Sequence, residues 1–474
     1  VRPDAAPTRA PATRDQADAY RFGLRRLESA LVRGDAVPLH EQVRAQRRAA
    51  LAGVVLGALA VAAVAVHSFL VPAPDWRTRS VVLASGSGAM YVVADGTRLV
   101  PVANLPAARL VLAALRGGGA STADPATAEP VVVADAVLAD APRTAAADVA
   151  GAAGVRLDGA VVPPAWAVCD EAAPDDPRTV VVGGAAPPAA DPAAAALVAV
   201  RGGGTWLLAG ERRHRVDPAD RPALVALGLT GAVPRPASAA LVDAVAEGVP
   251  LSTPRVAGAG GAGPPGVPGR VGDVLVGGAD AAVPRHWVVL DGGVQEVPAT
   301  LAGALRAAGA AEHRIGPDVI ARSADAAALD TAGWPAAPPD VRDPADAAVV
   351  CWTWAAGGAA AGSVLVAAGL PVPAGTPAVD LARAGGAGAD AVVLRPGGGG
   401  AVRATAPGRA PGTGPLWLVS GSGVAHNVVD DDTAAVLGVT AAEPAPEAAL
   451  RLLPVGPALD LRRTVRTADV LPAG

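Results

Sequence analysis

Apolar positions along this chain follow three patterns, and each predicts a different element. The first is unbroken. From Ala49 to Pro74 the chain reads AALAGVVLGALAVAAVAVHSFLVPAP, with His67 and Ser68 as its only polar side chains. About 20 apolar residues suffice to cross the hydrocarbon core, and amides in lipid must be paired within their own segment, so residues 49–74 are expected as one transmembrane helix. The alternative is a cleaved leader ending at Ala63-Val64-Ala65. The run is too long for a leader, and the long polar stretch 1–48 precedes it.

The second pattern is helical. Tyr20, Leu24, Leu27 and Leu31 recur at i, i+4, i+7 and i+11, with Arg21, Arg25 and Arg26 on other faces. Gly34-Asp35 and Pro38 end that helix, and a second one from about Leu39 runs into the span. Residues 1–14, rich in Pro, Ala and Arg, read as disordered. The amphipathic helices of residues 1–48 suit either anionic headgroups or a docking partner.

The third pattern is alternation around glycine turns. It occurs four times, at 89–102 (AMYVVADGTRLVPV), 205–217 (TWLLAGERRHRVD), 286–298 (HWVVLDGGVQEVP) and 416–429 (LWLVSGSGVAHNVV). Each stretch predicts a hairpin carrying one aromatic residue, Tyr91, Trp206, Trp287 or Trp417. The aromatic is expected to pack its hairpin against the following helix; sugar stacking is the rival reading. LGLTGAVPRPASAALV (227–242) also matches LGVTAAEPAPEAALRL (437–452) at a constant offset, sharing Leu227/Leu437, Gly228/Gly438, Thr230/Thr440, Pro234/Pro444 and Pro236/Pro446. Pro-x-Pro before an Ala/Leu run predicts a fixed lead-in to a short helix. Units this small bury little and need a neighbour or scaffold.

Charge orients the chain. Arg33, Arg44, Arg47 and Arg48 precede the span, while Arg77 and Arg79 follow it beside Trp76, taken here as a membrane-flanking residue. The excess predicts a cytoplasmic N-terminus and a large extracytoplasmic part. The 474 residues carry a net charge of −5, which gives no electrostatic reason to expect nucleic acid. All 39 cationic residues are arginine, and 57 glycines with 46 prolines point to small units joined by breaks. Two cysteines, Cys169 and Cys351, lie on the outer side, where a lone pair reads as a disulfide; two buried free thiols are the alternative. If they pair, short Val-rich strands such as Val180–Gly183 and Ser363–Ala367 belong to one discontinuous central domain.

The expected fold is α+β: one transmembrane helix, then an extracytoplasmic region of four small α/β repeats around a central β-rich domain, a region that the resemblance described below implies is elongated. The expected boundaries are 1–48 cytoplasmic, 49–74 span, 75–118 first repeat, 119–195 central domain, 196–252 second repeat, 253–312 third repeat, 313–375 central domain again, and 376–474 fourth repeat with tail.

Catalytic signatures are missing. A P-loop needs a lysine to reach the terminal phosphates, and the chain has none. Gly258-Ala-Gly260-Gly261-Ala-Gly263 fits Gly-x-Gly-x-x-Gly formally, but Pro264-Pro265 follow where a helix should start. The histidines show no metal spacing, no Gly-x-Ser-x-Gly elbow exists, and Asp430–Asp432 reads as a solvated turn. No catalytic, cofactor-binding or metal-binding residue is assigned.

Several stretches together resemble the EccB family, the single-span membrane component of actinobacterial type VII (ESX) secretion systems. They are AYRFGLRRLESALVRGD, SGAMYVVADGTRLVPVANLPAARL, WAVCD, LGLTGAVPRPA, GDVLV, VCWTW, LRPGGGGAVR and the terminal LLPVGPALD. The resemblance implies a structural membrane subunit of a secretion complex. Its partners would be further Ecc components, including an FtsK/SpoIIIE-type motor ATPase, and further copies of itself. It also implies repeats similar to phage-lysin cell-wall-binding folds, hence a possible wall contact, closed by one disulfide. Members are described as ATPases, a label at odds with the missing lysine.

Overall fold

The structure, a computed structural model, describes residues 13–34, 39–70, 75–147, 149, 151–157, 165–174, 176–184, 190–277, 284–357, 362–373, 375–381, 388–394 and 399–468. The chain divides into two units, Val1–Asp75 and Trp76–Gly474.

In the first unit, α1 spans Arg14–Arg33. Thr13 accepts a hydrogen bond from the Gln16 amide while the Gln16 side chain accepts from the Thr13 amide, a reciprocal cap. Gly34 closes the helix at φ 69°, a left-handed position that costs glycine nothing. Tyr20, Leu24, Leu27 and Leu31 are all exposed on α1. Helix α2 is continuous over Leu39–Leu70, and its window Gln46–Val66 has mean hydropathy 2.6 with no buried side chain. At 1.5 Å per residue that window is about 31 Å long, matching a hydrocarbon core of about 30 Å. Among the described residues it is the one helix long and apolar enough to cross a membrane.

The second unit opens with an antiparallel meander of β1 (Val81–Ala84), β2 (Met90–Ala94) and β3 (Arg98–Val102). Helix α3 (Leu105–Gly117) crosses over, and β4 (Pro130–Val133) returns parallel to β1, followed by α4 (Asp135–Leu138). β5 (Ala165–Glu171) and β6 (Arg178–Gly183) begin a central sheet. The first plan then recurs as β7 (Ala194–Val200), β8 (Gly204–Ala209), β9 (Arg212–Val216), α5 (Arg221–Ala226) and β10 (Arg235–Ala237), with α6 (Ala239–Ala244) and β11 (Ala246–Glu247) appended. A third version comprises β12 (Val274–Gly277), β13 (Arg285–Leu290), β14 (Gly293–Val297), α7 (Ala299–Ala307) and β15 (Glu312–Arg314), then α8 (Pro317–Arg322).

β16 (Asp340–Val341) adds to β7, and β17 (Val349–Ala355), β18 (Ser363–Ala367), β19 (Val379–Asp380) and β20 (Ala391–Leu394) complete the central sheet in the order β18-β17-β5-β6-β20-β19. The fourth version is β21 (Gly400–Thr405), β22 (Leu416–Val419), β23 (Ala425–Val428), α9 (Asp431–Val436) and β24 (Glu443–Pro446), ending in α10 (Glu447–Leu450) and α11 (Leu461–Ala468).

The observed module therefore differs from a hairpin with two helices. A strand precedes each hairpin, and the helix carries the chain back to pair in parallel with that strand, as parallel pairing requires a crossover. Pro236 and the pair Pro444/Pro446 lie in these return strands, β10 and β24, at sheet edges where a missing amide donor is tolerated. Expected boundaries shift accordingly. Residues 130–133, placed in the central domain, belong to the first sheet; 340–341 join the second sheet; and 379–380 with 391–394, placed in the fourth repeat, join the central sheet. Ala391–Leu394 is buried throughout, and a strand buried on both faces sits inside a covered sheet. Trp76 is also corrected. It is 2 % exposed, packed with Val82, Tyr91, Val93, Leu99 and Leu138 behind the first sheet, because that face needs a large apolar cover more than the membrane interface does.

β5 and β17 run antiparallel in full register from Val349↔Glu171 to Ala355↔Ala165, with Cys169 opposite Cys351 and joined to it as a disulfide. The bridge closes a separation of 182 residues, worth at most about 5 kcal/mol by loop entropy. In guanidinium unfolding of the full chain in mild detergent, the double variant C169A/C351A is expected to lose about 2–5 kcal/mol of stability. Reductant should shift the wild type alone.

Candidate functional site: the stitches between modules

The matched stretches at 227 and 437 owe their likeness to one device. Asp220 accepts from the Ala223 amide at the start of α5, and Asp430 accepts from the Thr433 amide at the start of α9. Leu227 and Leu437 are fully buried at the helix ends, and Gly228 and Gly438 follow at φ 69° and 73°. Gly438 is doubly constrained: a Cβ there would stand 2.5 Å from Ala126 O and 2.6 Å from Arg109 Nη1.

Arg109 is the group that makes this corner crowded. It is the only charged residue in the buried run of α3, with its side chain 3 % exposed. Nη1 donates to Leu437 O at 2.6 Å, Nε to Ala128 O at 3.3 Å and Nη2 to Glu129 Oε1 at 3.3 Å. Burial pulls its pKa below the ordinary value while Glu129 and Asp124 oppose that shift; a guanidinium stays charged regardless. The bond to Leu437 ties the first module to the fourth. Leu110, Leu416, Leu418, Ala434, Leu437 and Leu459 form a shared core around it. The second and third modules join in the same way, through a core that includes Ala223, Leu227, Leu301 and Leu305 of α5, α7 and their ends.

A second buried charge fastens the second module to the central sheet. Asp170, beside Cys169 but on the opposite face, is 4 % exposed. It accepts from the Ser238 amide at 2.6 Å, from Ser238 Oγ at 2.8 Å and from Thr179 Oγ1 at 2.9 Å. Burial raises its pKa above the ordinary carboxylate value, against the pull of those donors. Arg235, 6 % exposed, donates to Ala347 O at 2.9 Å. A perturbed, buried ionisable group is a catalytic candidate in principle. Here each one is occupied in joining chain segments, Arg109 across 328 residues, Arg235 across 112 and Asp170 across 68.

The residues singled out in the sequence do not converge. Cys169 and Cys351 are fully buried in the central sheet. Tyr91 and Trp287 are buried and Trp206 and Trp417 half-buried, and none packs toward the helix after its hairpin. The next residue along each strand does so: Val92, Leu207, Val288 and Leu418 face α3, α5, α7 and α9. Strand alternation then puts the aromatic on the other face. Arg143, Arg213 and Arg285 lie over the rings of Tyr91, Trp206 and Trp287 at 5.3, 4.8 and 5.4 Å, occupying faces that a sugar would need.

Arg47 and Arg48 are exposed on α2; the side chain of Arg44 lies outside the described residues. Among the described residues no group of three or more His, Cys, Asp or Glu is placed to hold a metal. His214 and His426 each face a carbonyl, Val249 O at 2.8 Å and Pro457 O at 3.1 Å. Gly258 and Gly260 sit in turns, the Gly260 amide donates to Val271 O, and a strand rather than a helix follows. Arg109, Asp170 and Arg235 were missed by sequence reasoning, although Arg109 is an isolated charge in an apolar run and Arg235 one flanked by prolines.

The family profile described as "Type VII secretion system ESX-1, transport TM domain B" matches residues 9–473. The chain belongs to the EccB family. It is 32 % identical to the protein named ESX-3 secretion system ATPase EccB3 of Mycolicibacterium smegmatis, over 94 % of this chain and 89 % of that one. It is similar to a chain in the structure of the periplasmic assembly from the ESX-5 inner membrane complex, with TM-score 0.68, 30 % identity, and coverage of 85 % and 100 %. The structure of the EccB3 dimer from the ESX-3 core complex gives TM-score 0.65 and 29 % identity over 81 % and 99 %. EccB proteins are membrane components of ESX inner membrane complexes with a periplasmic assembly.

Two outcomes follow from the stitches. Arg109→Met orphans buried carbonyls and is expected to cost about 2–3 kcal/mol in denaturant unfolding, with Arg109→Lys restoring only part because one ammonium cannot reach all three acceptors. Burial opposes the shift, but hydrogen bonds from Thr253 and the Ala223 amide together hold the Asp220 carboxyl below the ordinary carboxylate value in the folded chain. Its contribution is therefore present above the ordinary value and lost as pH falls through the lower folded one. D220N, which keeps the cap acceptor, should flatten the acid limb of stability below about pH 4.

Proposed function

We propose that this EccB-family chain is a non-catalytic structural subunit of a type VII secretion complex. In this reading α2 crosses the cytoplasmic membrane with the N-terminus in the cytoplasm, and the Trp76–Gly474 unit stands outside as an extended arm of modules around the central sheet. Its partners are further copies of the chain and other membrane components, including the FtsK/SpoIIIE-type motor ATPase; α1 offers these an exposed apolar face. The use of Arg109, Asp170 and Arg235 as intermodule ties carries the argument, because a chain that commits its buried charges to architecture keeps none of them for chemistry. The name of the Mycolicibacterium smegmatis relative favours an ATPase as second reading. The possible wall contact is disfavoured by the arginines covering three of the four ring faces.

Purified full-length chain in mild detergent is expected to run as an oligomer and to bring down other membrane components of the complex, with nucleotide turnover at the level of a mock preparation. Turnover abolished by one interior substitution would establish the ATPase reading instead. A chain that stays monomeric and partnerless when extracted from its native membrane would overturn the structural one.

A further inference from the structure

Three buried side-chain atoms have no hydrogen-bond partner among the described residues: Trp166 Nε1, Arg213 Nε and Arg235 Nη2. Arg235 is the one of these that lines a small void between the central sheet and the second module. Asp170, Val198, Ala237, Leu241 and Val350 stand around the same void, which leaves about 10 Å³ to the centre of a water-sized sphere. Both charged residues on its wall are more than nine-tenths buried, Arg235 at 6 % exposed and Asp170 at 4 %.

Each of the two has hydrogen-bonding capacity left over. Arg235 Nη1 donates to Ala347 O, which leaves the Nη2 hydrogens unused. Asp170 Oδ1 accepts from Thr179 Oγ1 and Ser238 Oγ, while Oδ2 accepts from the Ser238 amide alone. A carboxylate has about four lone-pair positions, so one on Oδ2 is open. The pair bond to other groups rather than to each other, yet they lie near enough to interact. Burial pulls the Arg235 pKa below its ordinary value, and the charges of Asp170 and Asp343 oppose that shift. A buried donor and a buried acceptor left dry on facing walls are costly.

The chemistry of the walls selects the occupant. It must accept from a guanidinium and donate to a carboxylate. Arg235 repels a cation, Asp170 repels an anion, and the volume is that of one water with at least two polar partners. We propose that this void is a binding site for a single structural water, which accepts from Arg235 Nη2 and donates to Asp170 Oδ2. The two ties described above then act as one network. β5, β10 and the segment leading into β17 meet at one point, and neither buried charge is left with an unmet group facing the other.

The test uses the full chain in mild detergent. A map that resolves ordered water is expected to show one solvent peak within about 3 Å of both Arg235 Nη2 and the Asp170 carboxylate. The peak should vanish in Arg235→Met, which removes the donor. A dry void, or Arg235 Nη2 bonded directly to Asp170, overturns the water site. A double-mutant cycle of Arg235→Met and Asp170→Asn, read by denaturant unfolding, measures the link separately. The double variant is expected to lose about tenfold less in its folding equilibrium constant than the two single losses combined. Losses that simply combine overturn the network. Where either variant fails to fold, the wild-type map alone decides.

Discussion

Everything in the second unit hangs on the pairing of β5 with β17. Two seven-residue strands from distant parts of the chain meet in full register, six of seven side chains buried in each. One face carries the disulfide and packs under Leu365, Val393 and the 370–372 segment. The other carries Trp166, Val168, Trp352 and Trp354 toward the second and fourth modules. Because strand side chains alternate, a slip of one residue would turn Trp352 to the disulfide face and Cys351 to the module face. The covalent bond and the burial pattern therefore specify the same register, and the second and third modules are held as an excursion between two fixed points.

The modules then need orientation, which apolar burial supplies poorly because it is non-directional. Arg109, Asp170 and Arg235 supply direction. Each donor or acceptor angle admits one arrangement of the segments it joins, and misplacement leaves a charge buried without partners, at a cost of several kcal/mol. Buried ions of this kind contribute little net stability when satisfied. Their effect is to make wrong arrangements expensive, which suits a chain assembled from similar sheets that could otherwise pack interchangeably.

Much of this was legible in the sequence where a local rule decides the outcome. The C-terminal end of α1, the apolar helix, the four hairpins and the likeness of the twin Leu-Gly positions follow from turn residues, run length, alternation and repetition, whereas the Thr13 cap of α1 falls within the stretch 1–14 read as disordered. What escaped depends on non-local pairing. Nothing in residues 130–133 announces that they return to β1, and nothing in 391–394 announces β6 as the neighbour rather than β21. The aromatics differ for another reason: period-two alternation marks their hairpins but leaves open which face meets the helix, and the rings take the face away from it. Trp76 lies close to the span in sequence, yet it covers the apolar face of the first sheet. Arg109 and Asp170 carry no local signal of their roles because their acceptors and donors lie across the fold.

The two-faced sheet also explains why four similar modules take unequal places. In each, the helix after the hairpin covers one face, leaving the aromatic face to be covered by something else. In the first and third modules the cover is local: Trp76 and Leu138 against Tyr91, Ile315 and Ile320 against Trp287. In the second and fourth, Trp206 and Trp417 instead join the large core shared with the central sheet. The helix faces then pair first with fourth and second with third. An anchoring module thus uses its aromatic face for the scaffold and its helix face for a satellite, and a satellite closes its aromatic face with its own flanking short helices. One small sheet with two apolar faces is enough to link neighbouring modules, and each face is covered either by a neighbour or by the module's own flanking segment.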